Sequence, residues 1–182
     1  MLPPLALSQS IGYISEPAST FDDLKDVGLW PADQTIKKIS KINVWAGETR
    51  PNAIELTYQL INDDDPQTRL HGQRQGDQHT VTVADNEYFV GIFGAIDSDN
   101  LLPSLRRIGF LVYNKNTGNV TERGPFPDTT ESDKHVKGFA SGLGVILALT
   151  GTLTANKILN SFAIYSLQSD GLDFGIKPVM KI

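Results

Sequence analysis

The segment Asn52-Ala53-Ile54-Glu55-Leu56-Thr57-Tyr58 decides the fold, because two segments of similar character follow it at one spacing. These are Arg106-Arg107-Ile108-Gly109-Phe110-Leu111-Val112 and Asn160-Ser161-Phe162-Ala163-Ile164-Tyr165. Their first residues lie 106 − 52 = 54 and 160 − 106 = 54 positions apart. Each segment has apolar residues at every second position after a polar start, which is typical of a strand with one buried face. Three copies predict three similar sheets around one core, with up to three equivalent loop ends where a ligand could bind.

Length, charge and composition exclude several classes of protein. A chain of 182 residues is long enough for one domain with a sizeable core. Its net charge of −5 argues against nucleic acid as a partner, and no apolar stretch reaches the length of a membrane span. The absence of cysteine excludes disulfides and thiolate metal sites. The first seven residues lack the features of a signal peptide, so we expect a cytoplasmic location from which release would need an unconventional route.

Strand patterns also dominate the rest of the chain. They occur at Ile36–Val44, Asn52–Ile61, Thr80–Val83, Tyr88–Ala95, Arg107–Tyr113, Val136–Phe139, Val145–Leu149 and Ile158–Tyr165. Polar turn sequences separate them, which predicts an all-β sandwich, barrel or prism. One short helix is predicted from Thr20 to Lys25, with Thr20 as its N-cap. We expect one domain over residues 1–168 and a C-terminal extension over residues 169–182.

Several short motifs, in this order, resemble the jacalin-related lectins. They are Asp22-Asp23 before Ile36-Lys37-Lys38-Ile39, His71-Gly72 with Gly76, Glu87–Ile92, Gly124-Pro125-Phe126 and Leu159–Tyr165. The resemblance runs from about Ile11 to Tyr165. It implies an all-β β-prism of three four-stranded Greek-key sheets with pseudo-threefold symmetry. It also implies binding of sugars, often mannose or galactose, without metal or catalysis. We expect a lectin for mannose- or glucose-type glycans or glycoproteins, with no cofactor.

The family pairs a Gly-x-x-x-Asp motif with a glycine-rich loop, and the chain departs from both at its first site. The motif here reads Asn156-Lys157-Ile158-Leu159-Asn160, and the loop Ile14–Ala18 has no glycine. A carboxylate accepts two hydroxyl protons with charge assistance, whereas a carboxamide accepts with its oxygen and donates with its nitrogen. The asparagine in place of the family's aspartate therefore predicts either a sugar affinity weakened roughly tenfold or a preference for a different pattern of sugar hydroxyls. The candidate sugar-binding residues of this site are Asn156, Lys157, Ile158 and Asn160.

The second repeat keeps more of the expected site. Asn52 heads its strand, and the loop His71–Asp77 supplies two glycines and several hydrogen-bonding groups. Its candidate sugar-binding residues are Asn52, Gly72, Gln73, Gly76 and Asp77. We rank this site equal to the first. The third repeat ranks last, because Arg106 is a donor without an acceptor.

Structural roles for the same residues stay open. Asn52 and Asn160 also suit turns at strand starts, and Tyr13 suits either a buried strand or a sugar-stacking position. The acidic runs Asp63–Asp65 and Asp97–Asn100 lack the pattern of a calcium loop. The three histidines lack metal-ligand spacing, so we expect surface or turn roles for them.

A second function competes with sugar binding. The lost glycines and aspartates also fit a β-prism that serves as an interaction or oligomerisation module and no longer binds sugar. A homo-oligomer fits either function, since a lectin with one weak site per chain gains avidity by presenting several sites together.

Overall fold

A computed structural model of the protein describes residues 5–12, 19–26, 36–61, 65–97, 104–128, 136–142 and 144–167. Their strands are β1 (Leu5–Leu7), β2 (Ile11–Gly12), β3 (Ser19–Asp22), β4 (Ile36–Ala46), β5 (Pro51–Leu60), β6 (Gln67–Gly72), β7 (Asp77–Thr82), β8 (Glu87–Asp97), β9 (Leu105–Asn114), β10 (Val120–Phe126), β11 (Val136–Ala140), β12 (Val145–Leu153) and β13 (Leu159–Leu167). Helix α1 spans Asp23–Asp26. Within these residues, no helix has the length and apolar character to span a membrane. The predicted extension over residues 169–182 lies outside the described residues, so the domain boundary stays a prediction.

The strands form three antiparallel sheets. The first sheet has the order β1-β13-β12-β3, with β2 also beside β13, the second has β6-β5-β4-β7, and the third has β10-β9-β8-β11. Because β1 and β2 pair with successive parts of β13, they occupy one strand position. Each sheet therefore has four positions in Greek-key order, with the fourth strand beside the first. This confirms the predicted all-β prism, whose first sheet combines the beginning and the end of the described chain.

The repeated segments are β5, β9 and β13, and their alternate side chains fill one shared core. The inward residues with no more than 2% exposure include Ile54, Leu56, Tyr58, Ile108, Phe110, Val112, Phe162 and Ile164. Burying each such side chain stabilises the fold by about 1.5–3 kcal/mol. The inner strands of each sheet contact those of the other two sheets. The core thus holds the three sheets, and their loop ends, in fixed relation.

The 54-residue spacing marks equivalent positions in the three sheets. Each of the strands β5, β9 and β13 has one extra residue relative to the partner strand of its hairpin. This extra residue is Asn52 in β5, Arg106 in β9 and Asn160 in β13. Such a β-bulge bends the strand and redirects side chains. The register thus places the three residues in equivalent positions, as the spacing predicts.

Some local predictions are wrong. Thr20 lies in β3 and does not cap the helix; instead, Oδ1 of Asp22 accepts hydrogen bonds from the N–H groups of Leu24 (3.2 Å) and Lys25 (3.4 Å). The sequence patterns also fail to predict β6 and β10. Both are edge strands with few buried residues, so a regular alternation of apolar residues is not required there.

A buried polar cluster joins α1 to the second sheet. The carboxylate of Asp23 is fully buried, accepts a hydrogen bond from the Tyr58 hydroxyl, and lies 2.8 Å from Nε2 of His71. The His71 ring stacks on Phe21 with 3.7 Å between ring centroids. The expected surface or turn role is therefore wrong for His71. Burial, followed by the Asp23 charge, raises the pKa of Tyr58 well above its ordinary value.

Candidate functional site

The β-bulge in the second sheet lies at the centre of one candidate site. We define the Asn52 site as Gly47, Asn52 and the loop Gln73–Gly76. Nδ2 of Asn52 donates a hydrogen bond of 2.8 Å to the carbonyl oxygen of Gln75. Among the described residues, no group donates to Oδ1 of Asn52. The bulge thus fixes the loop with one side-chain atom and leaves the other as an acceptor.

The loop is shorter than the sequence predicts. His71 and Gly72 end β6, and Asp77 begins β7, so Gln73–Gly76 alone connect the two strands. Within this loop, the N–H group of Gln75 donates to the carbonyl oxygen of Gln73 at 2.7 Å, which makes a three-residue γ-turn.

Glycine is required at both ends of this loop. Gly72 has a φ of +112° and Gly76 a φ of +97°. A Cβ atom at Gly72 would overlap the carbonyl oxygen of Asn52, and one at Gly76 would overlap that of Ala46. The two glycines therefore bring the loop backbone against the bulge, where a ligand could reach both.

Two predicted site residues, Gly76 and Asp77, line a groove between the second and third sheets. Its volume is about 510 Å³, within the range of about 300–1,000 Å³ for small-molecule sites. The other lining residues are Ala46, Gly47, Glu48, His79, Pro127 and Asp128. Sequence patterns do not reveal this groove, because its far wall is Pro127 and Asp128, which follow β10 of the third sheet.

In the first sheet, the structure brings Asn156, Lys157, Ile158 and Asn160 together around one hairpin turn. Asn156 and Lys157 are exposed, and Lys157 has a φ of 54°. Thr154 closes the turn by accepting hydrogen bonds from the N–H groups of Lys157 (2.8 Å) and Ile158 (3.1 Å). Nδ2 of Asn160 lies 3.5 Å from Oγ1 of Thr152. The site therefore has an ordered turn with a polar residue at its bulge.

Sequence reasoning missed a glycine of this first site. The loop Ile14–Ala18 lies outside the described residues, as does Tyr13. Gly12, however, pairs with Ser161, the residue after Asn160, just as Gly72 pairs with Ala53, the residue after Asn52. Gly12 also has a φ of +98°. A Cβ atom at Gly12 would overlap the carbonyl oxygen of Asn160. Gly12 thus occupies the position of Gly72, and only comparison between the sheets reveals it.

The third bulge differs in its chemistry. Nε and Nη2 of Arg106 lie 3.2 and 2.8 Å from Oδ2 of Asp97, whose side chain is buried. This ion pair holds the guanidinium against its own hairpin. Within the described part of the chain, no group of three His, Cys, Asp or Glu residues could hold a metal ion.

Comparison with protein-family models identifies the family. The model described as "Jacalin-like lectin domain" matches residues 25–165. The chain belongs to the jacalin-like lectin family. This confirms the resemblance predicted from the short motifs, and the family points to carbohydrate binding without catalysis.

Solved structures of jacalin-related lectins share the fold. Wild-type Malaysian banana lectin is 17% identical, with 91% of this chain and 100% of that chain covered and a TM-score of 0.65. A mannose-binding jacalin-related lectin from Ananas comosus is 18% identical, with coverages of 91% and 99% and a TM-score of 0.64. Calsepa lectin, in complex with a bisected glycan, is 16% identical, with coverages of 92% and 100% and a TM-score of 0.62. A comparison with curated protein sequences found no match.

Proposed function

We propose that this protein is a lectin that binds mannose- or glucose-type glycans at the Asn52 site. The observation that carries the proposal is the bulge, which holds the loop Gln73–Gly76 through Nδ2 of Asn52 and leaves Oδ1 as an acceptor. The lectin from Ananas comosus, described as mannose-binding, supports the choice of sugar. The glycan complex of Calsepa lectin supports glycans as partners.

The chemistry of recognition follows from these groups. A sugar hydroxyl would donate to Oδ1 of Asn52 and accept from a backbone N–H group of the loop. The carboxylate of Asp77, at the groove, would accept from further hydroxyls with charge assistance. Neutral hydrogen bonds contribute only about 0.5–1.5 kcal/mol each, so we expect modest affinity at one site. A homo-oligomer would raise avidity by presenting several sites, and light scattering tests for one.

The first sheet offers a second proposed site at Asn156, Lys157, Ile158 and Asn160. Gly12 and the bulge at Asn160 repeat the geometry of Gly72 and Asn52. The closed turn at Thr154 supports this proposal, because an ordered turn loses less entropy when it binds a ligand.

The charge of the groove supports a preference for uncharged sugars. Glu48, Asp77 and Asp128 are exposed around it. These carboxylates repel anionic groups over about 8 Å at physiological ionic strength. We therefore expect neutral glycans to bind more tightly than their sialylated or sulfated counterparts, by a ratio that falls as salt is added.

A glycan array tests this function directly. The wild type should bind mannose- or glucose-type oligosaccharides, and Asn52→Ala should bind them about tenfold more weakly at the second-sheet site. Asn119→Ala is the matched control. Asn119 is exposed in the turn that follows the C-terminal end of β9, whereas the bulge of β9 lies near its N-terminal end. Absence of any glycan binding at millimolar concentrations would refute the proposal.

One observation favours the alternative of an interaction module. Side-chain nitrogen atoms at all three bulges make contacts within the protein, at Asn52, Arg106 and Asn160. In this alternative the bulges only order the turns. It predicts an unchanged oligomeric state in Asn52→Ala and no glycan binding by the wild type.

A further inference from the structure

The outer face of the second sheet carries a buried carboxylate. Glu55 lies between the inward residues Ile54 and Leu56 of β5, and its side chain is only 8% exposed although it points away from the core. Its Oε1 accepts a hydrogen bond of 2.7 Å from Nδ2 of Asn43. Oδ1 of Asn43 in turn accepts one of 2.8 Å from the Thr80 hydroxyl. A chain of two hydrogen bonds thus runs from Thr80 of β7 through Asn43 of β4 to the carboxylate of Glu55.

The remaining oxygen of Glu55 binds the loop of the Asn52 site. Nη2 of Arg74 donates to Oε2 of Glu55, and the guanidinium carbon of Arg74 lies 5.3 Å from the centre of the Trp45 ring. Arg74 is the second residue of the loop Gln73–Gly76. Its neighbour Gln75 accepts the hydrogen bond from Asn52. Two adjacent loop residues are therefore held from two sides, one by the sheet face and one by the bulge.

We propose that Glu55 is a positioning residue for the sugar site, holding the loop Gln73–Gly76 in its binding conformation through Arg74. This inference rests on the proposed function of the Asn52 site. Without this ion pair, the left-handed glycines at both loop ends would allow other backbone conformations. A loop ordered before binding loses less conformational entropy when the sugar arrives. Burial alone would raise the pKa of Glu55, but hydrogen bonds from Arg74 and Asn43 outweigh it and lower that pKa, which keeps the carboxylate ionised.

Two variants test this positioning role from its two ends. Glu55→Gln keeps the shape of the side chain and removes the charge that holds Arg74. In this proposal Glu55 does not contact the sugar, because its two carboxylate oxygens already bind Asn43 and Arg74. Arg74→Ala removes the other partner at a side chain that is 58% exposed, so the fold should tolerate it. The control is Thr57→Val, on the same strand face, which removes a contact with Thr68 but none with the loop.

The experiment combines calorimetric titration of methyl α-mannopyranoside with NMR amide exchange of residues 74–76. We expect Glu55→Gln and Arg74→Ala to bind about 5- to 20-fold more weakly than the wild type, with faster loop exchange. The double variant should be no worse than either single variant, because both break one interaction. Arg74→Lys should restore most of the affinity, and Thr57→Val should bind like the wild type.

The outcomes separate this inference from the function on which it rests. If the wild type binds and both single variants bind equally well, the positioning role is wrong and the sugar site stands. If the effects of the two variants multiply in the double variant, the residues act independently and the inference is again wrong. If the wild type binds no sugar, the proposed function fails, and the inference with it.

Discussion

The substitution Tyr58→Phe tests the buried cluster that joins α1 to the second sheet. It removes one hydroxyl and keeps the ring, so it creates almost no cavity. Asp23 is fully buried and would lose one of its two side-chain donors, leaving His71. Hydrogen bonds to charged groups contribute about 1.5–3 kcal/mol. We expect the free energy of unfolding to fall by about 2–3 kcal/mol.

Tyr165→Phe is the matched control for this substitution. Tyr165 donates a hydrogen bond of 3.0 Å to Oδ2 of Asp22, and that carboxylate also has Lys25 at 3.3 Å and the N–H group of Leu24 at 3.2 Å. Asp22 would therefore keep partners, and the loss should be about 0.5–1 kcal/mol. Urea unfolding at neutral pH measures both values. Equal losses for the two variants would contradict the description of Asp23 as a buried, fully engaged carboxylate.

Three further outcomes follow from the same structure. Burial, followed by the hydrogen bond and charge of Asp22, raises the pKa of Tyr165 to about 12 from 10.0. Because Tyr165 ionises in the unfolded chain at lower pH than in the fold, the free energy of unfolding should hold below pH 10 and fall between pH 10 and 12. The fall should be smaller in Tyr165→Phe. Gly72→Ala should destabilise the fold by more than about 2 kcal/mol. Gly118→Ala should cost only about 1 kcal/mol, because its Cβ atom would meet nothing within 4 Å. Equal losses in urea unfolding would be inconsistent with the tight backbone approach at Gly72. EDTA followed by dialysis should leave glycan binding unchanged, because the described residues offer no metal cluster; recovery on adding calcium after a loss would count against this.

The fold was predictable because its symmetry appears in the sequence. The alternation in β5, β9 and β13 reflects one buried face per strand, and the spacing between them reflects repeated use of one hairpin. The equal spacing does not mean equal turns. The last paired residues before the turn are Ala46 and Pro51 in the second sheet and Ile96 and Leu105 in the third, so the two hairpins have turns of different length. The equivalence of Asn52, Arg106 and Asn160 followed from the spacing, whereas the β-bulges at these positions are seen only in the register of the strands.

Other features of the site could not be predicted, because they depend on contacts between distant segments. The groove combines Gly76 with Asp128, which follows β10 of the third sheet. The Glu55–Arg74 ion pair spans 19 residues, and each residue alone resembles an ordinary surface charge. Gly12 lies near the start of the sequence and Asn156–Asn160 near its end. The 54-residue spacing therefore gives no indication that they belong to one site. Such long-range arrangements leave no local signature.

The most direct test of sugar binding at the Asn52 site is an NMR titration of the isotopically labelled protein with methyl α-mannopyranoside. The account predicts saturable shifts of the Asn52 side-chain amide and of the backbone amides of Gln75, Gly76 and Asp77. The amide of Asn119, in the turn after β9, should not shift. Saturable shifts confined to another face of the prism, or none at millimolar sugar, would contradict the account.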